Sequence, residues 1–339
     1  MSSKLTTIID ADYIKYSVAY ACQKTSIVVT HPTLGVHDTF KTRTDFYGHH
    51  AKKAGGWLAE YNTGRDSPIL PSEFTIEDVV VPERIDFTLS SARSMFNDAA
   101  KKQGAKLFKG FLGKGDSFRV ARSTLTKYKN RTSPKPFHLE AVGDYLERKM
   151  GCEIVTGIEA DDRCVIEAFG KKDHFIQGED KDYYGCNINF FNVNKPEDGI
   201  VDCSGLGSLW LQEKVDSKGK PFTEVKGKGR MWLYQQVASG DDVDTYWANS
   251  ASNVKWGEKS AYSVLKDCKS DKEAFEALVR IFKILYPEPK SHTTWQGATI
   301  TIDWLYCLQE CFTMARMLRT EDEKEIQVVD ILNKIGVNY

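Results

Sequence analysis

Short apolar runs alternate with stretches whose apolar residues recur at helical spacing, and this alternation organises the first half of the chain. Leu5–Ile9 reads as a buried strand ending at Asp10, and the helix-compatible stretch Tyr13–Cys22 follows with almost no loop. Ser26–Thr30 and Val36–Lys41 flank Pro32-Thr33-Leu34-Gly35 and predict a hairpin. Residues 50–85, with Gly55-Gly56, Gly64 and prolines 68, 71 and 82, read as irregular and lead into an amphipathic helix at about 88–103. A strand at Lys106–Leu112, a helix at about 137–150, a strand at 152–156, a helix from Ala160 and a strand at 174–178 continue the alternation. Such a β-to-α order predicts an α/β protein with a central, mainly parallel sheet. Beyond it, Ser208–Val215 and Phe222–Val225 suggest a second hairpin, and Met231–Ala238 and 258–286 are helical.

The expected organisation is therefore a core over residues 1–195, with an insertion at about 31–85 and a basic region at about 101–135, followed by a hairpin insertion and helical region over 196–339. With 339 residues and 41% apolar content the chain can bury a large core. Its 46 basic and 47 acidic residues nearly cancel, so any attraction to a polyanion must be local. It is local: residues 101–135 hold eight Lys and three Arg against one acid, Asp116. The eight cysteines show no C-x-x-C pair, which argues against a zinc or disulfide framework and for a reducing compartment. No apolar stretch approaches the roughly 20 residues of a membrane span, so a cytoplasmic protein without a membrane partner is expected.

The chemistry sits in four short acidic clusters: Asp10, then Glu159-Ala160-Asp161-Asp162, then Asp180-Lys181-Asp182, then Asp241-Asp242-Val243-Asp244. Apolar runs lead into the first three, so each would stand at a strand end, where α/β sheets hold their ligands. Hard oxygen donors suit Mg²⁺ or Mn²⁺. Converging without a cation, these carboxylates would repel one another and raise some of their own pKa values. Singly, each cluster has a bland reading: acids at 159–162 favour a helix N-terminus, and the other two could be loop residues or a solvated turn. Their order, and the strand ends before them, favour a common site.

These motifs resemble those of the 5′ nuclease superfamily of flap endonucleases and DNA-polymerase 5′-nuclease domains, and most closely those of the stand-alone phage 5′→3′ exonucleases. Ile-Ile-Asp10-Ala-Asp12 is similar to the first-strand motif, Gly157-Ile-Glu159-Ala-Asp161-Asp162 to G-x-E-A-D-D, Glu179-Asp180-Lys-Asp182 to D-x-D, and Gly240-Asp241-x-x-Asp244 to G-D-x-x-D. The resemblance implies a PIN-like fold and two or more Mg²⁺ ions, with Mn²⁺ able to substitute. Asp10, Glu159 and Asp161 would hold the first ion, Asp180 and Asp182 a shared or second position, Asp241 and Asp244 the second, and Asp162 an outer place. It implies two-metal hydrolysis at duplex 5′ ends and of RNA primers in RNA:DNA hybrids, leaving 5′-phosphates, in phage replication or recombination; a replication protein of the same phage is a further partner. A 5′ flap endonuclease is the neighbouring alternative.

Further residues carry over from the same resemblance. Tyr16 stands where the family stacks an aromatic on a terminal base, although packing beside Tyr13 and Tyr20 is the plain alternative. Tyr128-Lys129-Asn130-Arg131 is similar to Y-K-x-N-R, whose cations reach the scissile phosphate from a helical gateway, but is one residue shorter, which would turn Arg131 about 100° on a helix. Asp116 is the only candidate for an acid the family places slightly earlier. Arg119, Arg122 and Lys127 are expected on phosphates within the basic field. Gly257-Glu-Lys259-Ser-Ala261 is similar to the G-x-K-x-A turn of a helix-three-turn-helix that grips duplex DNA, with K⁺ as an accompanying ion; a plain interhelical turn is the alternative.

His31, His37 and His49-His50 have no ligand spacing and read as surface residues, and Cys307 and Cys311 as core. Two rivals remain. Asp10-Ala-Asp12 also opens a haloacid-dehalogenase-type phosphatase, which leaves Glu159–Asp162 without a task, and a non-cleaving DNA-binding protein has no use for so many acids.

Overall fold

The computed structural model describes residues 4–48, 55–131, 133–216 and 219–339, so His49 and His50 lie outside the described residues. The chain divides into two compact units, one of Met1–Ile14, Ser94–Ser133 and Leu146–Tyr339, the other of Lys15–Arg93 and Pro134–Tyr145. The elements begin with β1 (Thr6–Asp10), α1 (Ala11–Ala21), β2 (Gln23–Thr30), β3 (His37–Phe40), α2 (Arg43–Tyr47), α3 (Trp57–Tyr61), β4 (Thr75–Pro82) and α4 (Ile85–Ala100). Then come β5 (Leu107–Ser117), α5 (Phe118–Arg122), α6 (Leu139–Met150), β6 (Glu153–Gly157), α7 (Ala160–Ala168), β7 (His174–Gly178), β8 (Asn189–Asn192) and β9 (Ile200–Asp202). The remainder comprises β10 (Ser208–Val215), β11 (Pro221–Lys228), α8 (Arg230–Ser239), β12 (Gly240–Asp241), β13 (Tyr246–Trp247), α9 (Glu258–Leu265), α10 (Asp271–Leu285), β14 (Lys290–Thr293), β15 (Thr299–Ile302), α11 (Trp304–Ala315) and α12 (Val328–Lys334).

The larger unit is α/β, built on a six-stranded sheet in the order β6-β5-β1-β7-β8-β9. Its first five strands are parallel and only β9 runs antiparallel. Every residue of β1 is buried, as a central parallel strand covered on both faces requires, and Thr6-Thr7-Ile8-Ile9 accordingly carries no charge before Asp10. Ile8, Phe111, Val155, Val165, Ile176 and Phe190 join in one core with α7. A second core gathers α8, α10 and α11, with α8 buried nearly all round, in keeping with a helix that has no polar face. The expected helix at 258–286 is two helices, because Ser270 caps α10 by accepting from the Glu273 amide.

The smaller unit holds an antiparallel sheet β3-β2-β4 over Ile27, Val29, Val36, Phe46, Leu58 and Phe74. The hairpin β2–β3 stands where the sequence places it. Residues 75–82, read as irregular, form β4 instead, pairing along all of β2. Thr-Ile-Glu-Asp-Val-Val-Val-Pro has no period-two pattern, and its proline sits at the strand end, where a missing N–H is tolerated. His31 is also corrected: it is buried, and its Nδ1 accepts from the amides of Thr33 and Leu34 to close the β2–β3 turn, whereas His37 is exposed. Cys307 and Cys311 are core residues.

Phe111 lies opposite Asp10 in the β1–β5 register and is fully buried. Phe111→Ala is expected to cost about 3–5 kcal/mol in urea denaturation; a loss below about 1 kcal/mol would contradict this packing.

Candidate metal centre

Parallel strands β1, β6 and β7 all end on one edge of the sheet, and each delivers acids there. Asp10 is the last residue of β1, and Asp12 follows in the first turn of α1. The Asp12 amide donates to Asp10 Oδ1 at 3.2 Å, and Asp12 Oδ2 accepts from the Gly113 amide of β5 at 3.1 Å. A Cβ on Gly113 would lie 2.9 Å from that oxygen, so the strand passes as close as it does only because this residue is glycine. Tyr183, wholly buried, donates its hydroxyl to Asp10 Oδ2 at 3.1 Å. Its ring occupies the space beside Gly178, where a Cβ would come within 2.9 Å of the ring.

Glu159 and Asp161 come from the junction of β6 and α7 and each offers an oxygen within 4.8 Å of the others and of Asp162. Asp162 belongs to this group, and protein donors hold it within the fold. It is 0% exposed, and four donors occupy its two oxygens: both terminal nitrogens of Arg119 at 2.6 and 2.8 Å, the Glu159 amide at 3.2 Å and the Leu318 amide at 2.9 Å. Arg119 is corrected. Expected on a phosphate, it is 2% exposed and donates as well to Glu159 and to the carbonyls of Thr313 and Arg316. A cation in a basic run looks like a surface residue until its buried acid, forty-three positions away, is known.

The second half of the cluster is built on turns. Asp180 follows β7 and caps the 3₁₀ turn Lys181–Gly185 by accepting from the Asp182 amide at 2.9 Å. Gln236 of α8 donates to Asp182. Asp241 accepts from the amides of Val243 and Asp244 and pairs with Lys181 at 2.6 Å. Lys129 reaches across to Glu159 and lies 3.8 Å from Asp244, and the Tyr128 hydroxyl stands 2.9 Å from Glu159 and 3.0 Å from Asp244. The helical gateway expected around Lys129 is not formed: residues 123–131 are not helical. Lys129 has φ +48° and Thr245 φ +58°, and the two segments hold each other through Lys129 N–H to the Asp244 carbonyl and the Thr245 hydroxyl to the Lys127 carbonyl. Left-handed backbone is an outlier for a β-branched threonine, and such strain concentrates at functional sites.

Electrostatics tie the clusters into one set. Burial first, then Asp12 and Asp180, push the Asp10 carboxyl up to about 7, against the Tyr183 hydroxyl. Burial, helped by Glu159, Asp180 and Asp241 and opposed by Lys129, raises Asp244 to about 6. Asp161 rises through burial and Glu159, and Asp182 through burial, Asp180, Asp244 and Asp241. Burial would raise Asp241 too, but Lys181 and two backbone amides outweigh it and hold it below its ordinary range; Arg119 does the same for Asp162. Acids that raise one another's pKa in a buried pocket lack positive charge, and the donors are all hard oxygens, which fits Mg²⁺ or Mn²⁺.

Other predicted residues fall outside this set. Asp116 is exposed on β5 and is not among the charges that dominate any of these carboxyls; Asp12 stands in the cluster instead. Arg122 pairs with Glu325 at 2.6 Å, Lys127 extends over the Trp295 ring, and Arg131 is exposed. Gly257 immediately precedes α9, with Lys259 exposed in its first turn. Tyr16, in the smaller unit, is half-buried and lies ring against ring with Tyr20, centroids 6.5 Å apart. Tyr183 carries no motif signal that sets it apart as a partner of the acids, and Tyr128 and Lys181 lie within motifs that assign them no such role. No protein-family model matches the chain, and no curated protein matches it.

Two outcomes are expected. Arg119→Met strands the Asp162 charge and should cost about 3–5 kcal/mol of unfolding free energy, whereas a surface phosphate ligand would leave stability untouched. In EDTA, stability should fall as pH rises from 5 to 8, because Asp10 and Asp244 ionise at about 7 and about 6 when folded but near 3.8 when unfolded. Each unit of displacement is worth about 1.4 kcal/mol. Urea titrations at both pH values should show this loss, and Mg²⁺ should reverse it; equal stability at pH 5 and 8 would argue against a repelling cluster.

Proposed function

We propose that this chain is a divalent-metal-dependent 5′ nuclease that shortens duplex DNA and RNA primers from their 5′ ends, with a PIN-like sheet as its core. The observation that carries the reading is the convergence of acids from separate strand ends and turns, with Asp10 raised by burial, Asp12 and Asp180, with Glu159, Asp161 and Asp244 gathered about the ammonium of Lys129, and with Lys181 on Asp241. A phosphatase built on Asp10 and Asp12 has no use for the other acids. A binding protein has no reason to sustain their repulsion.

Asp10, Glu159, Asp161, Asp180, Asp182, Asp241 and Asp244 would hold the ions, with Asp12 beside Asp10. Bound Mg²⁺ would supply Lewis acidity to the scissile phosphate and lower the pKa of the attacking water. Lys129, whose charge burial disfavours, is kept protonated by Glu159, Asp161 and Asp244, so its charge is fixed before substrate arrives and can meet charge developing on the phosphate. Tyr128 orients Glu159 and Asp244, and Tyr183 orients Asp10. Arg131, exposed beside Lys129, is a second cation for the same phosphate. Tyr16 would stack on the terminal base, and the turn at Gly257 and Lys259, with K⁺, would grip the duplex as a helix-three-turn-helix does. Arg122 and Lys127 remain as surface phosphate contacts. The natural setting for such an enzyme is phage replication or recombination.

On a 5′-labelled duplex and a 5′-flap duplex, Mg²⁺ should release mononucleotides from the duplex, and EDTA should abolish this. Asp180→Ala should slow it roughly 100-fold or more. Flap-length fragments would move the assignment to a flap endonuclease, and binding without cleavage in Mg²⁺ or Mn²⁺ would overturn the nuclease reading.

A further inference from the structure

The hairpin β10–β11 has no part in the metal centre, yet it is rooted beside it. Its two strands pair without interruption from Ser208 opposite Lys228 to Val215 opposite Pro221. Directly opposed residues share a face, so Leu209, Leu211, Val225 and Gly227 lie on one side and Ser208, Trp210, Gln212, Lys214, Phe222, Glu224, Lys226 and Lys228 on the other. Leu209 and Val225 of the first side are buried in the helical core, and the Val225 amide donates to Glu258. At the base, the Gly229 amide donates to the Tyr184 carbonyl and Trp232 Nε1 to the Lys181 carbonyl, which fixes the hairpin to the turn that carries Asp180 and Asp182.

The outer face is left with two large aromatic rings in water, Trp210 43% and Phe222 45% exposed. In register they stand four residues apart, about 13 Å along the hairpin. Lys214, Lys226 and Lys228 surround them, against Glu224 alone, which pairs with the first two and cannot neutralise all three. Exposed rings interleaved with surplus positive charge match a strand whose bases present flat apolar faces and whose backbone is a row of anions. A protein partner that seeks apolar surface would find no reason for the lysines.

We infer that the outer face of the β10–β11 hairpin is a binding platform for single-stranded nucleic acid, with Trp210 and Phe222 as stacking surfaces and Lys214, Lys226 and Lys228 on the phosphates. This deepens the proposed nuclease reading by assigning the strand that leaves the acidic centre, but the platform binds whether or not the centre cuts.

The test is fluorescence anisotropy of labelled oligo(dT) with the full chain in Ca²⁺, comparing the parent, Trp210→Ala, Phe222→Ala and Lys228→Ala, with thermal melting to verify folding. Each aromatic substitution should weaken binding by about tenfold, and Lys228→Ala should flatten the salt dependence by roughly 0.7 in log–log slope. A parent that fails to bind oligo(dT), or folded aromatic variants that bind as the parent does, would overturn the platform. Unchanged variants that still degrade duplex ends would leave the nuclease reading standing without it. Hairpin-dependent binding in a protein that cuts nothing would support the platform while removing the nuclease.

Discussion

The buried pair of Arg119 and Asp162 holds the larger unit's chemistry in place. Arg119 leaves α5 at the end of β5, Asp162 lies in the first turn of α7, and both bind backbone of the segment after α11. A planar guanidinium with five donors satisfies a carboxylate and two carbonyls at once, which no lysine could do. A buried pair of this kind adds little stability relative to apolar residues, and its value lies in geometry. By fixing the start of α7 it fixes Glu159 and Asp161, and the acidic cluster inherits their positions.

Around that fixed point the charges are sorted. Acids with a dedicated cation, Asp162 with Arg119 and Asp241 with Lys181, stay ionised and serve as framework. Those without one, Asp10, Asp161 and Asp182, are left with raised pKa values and an unmet need for positive charge. Lys129 stands between the groups, on left-handed backbone and with its ammonium against Glu159. A site that is short of cations by construction is suited to hard divalent ions.

Much of this was legible in the sequence, and the limits have physical causes. Strand ends before Asp10, Glu159 and Asp180 could be read because β1, β6 and β7 are short apolar runs next to polar turns. The sheet's parallel character followed from their alternation with helices. Tertiary pairing was not legible: nothing local distinguishes Tyr183 from Tyr184, yet only the former donates to Asp10. Arg119 was out of reach for the same reason, since its partner is remote. The β4 strand was hidden by its lack of alternation.

The order in which the chain is made gives the Arg119–Asp162 pair one more consequence. Residues of β1 wait for β5, about one hundred positions later, before they can pair, and Asp162 finds its last donor only at the Leu318 amide. Contacts of such sequence separation form late, because loop closure must precede any reward. During synthesis at about 5–20 residues per second, the acids therefore wait many seconds for their last partners. A chain that has not yet reached residue 318 therefore lacks one of the four donors that hold Asp162 at the start of α7.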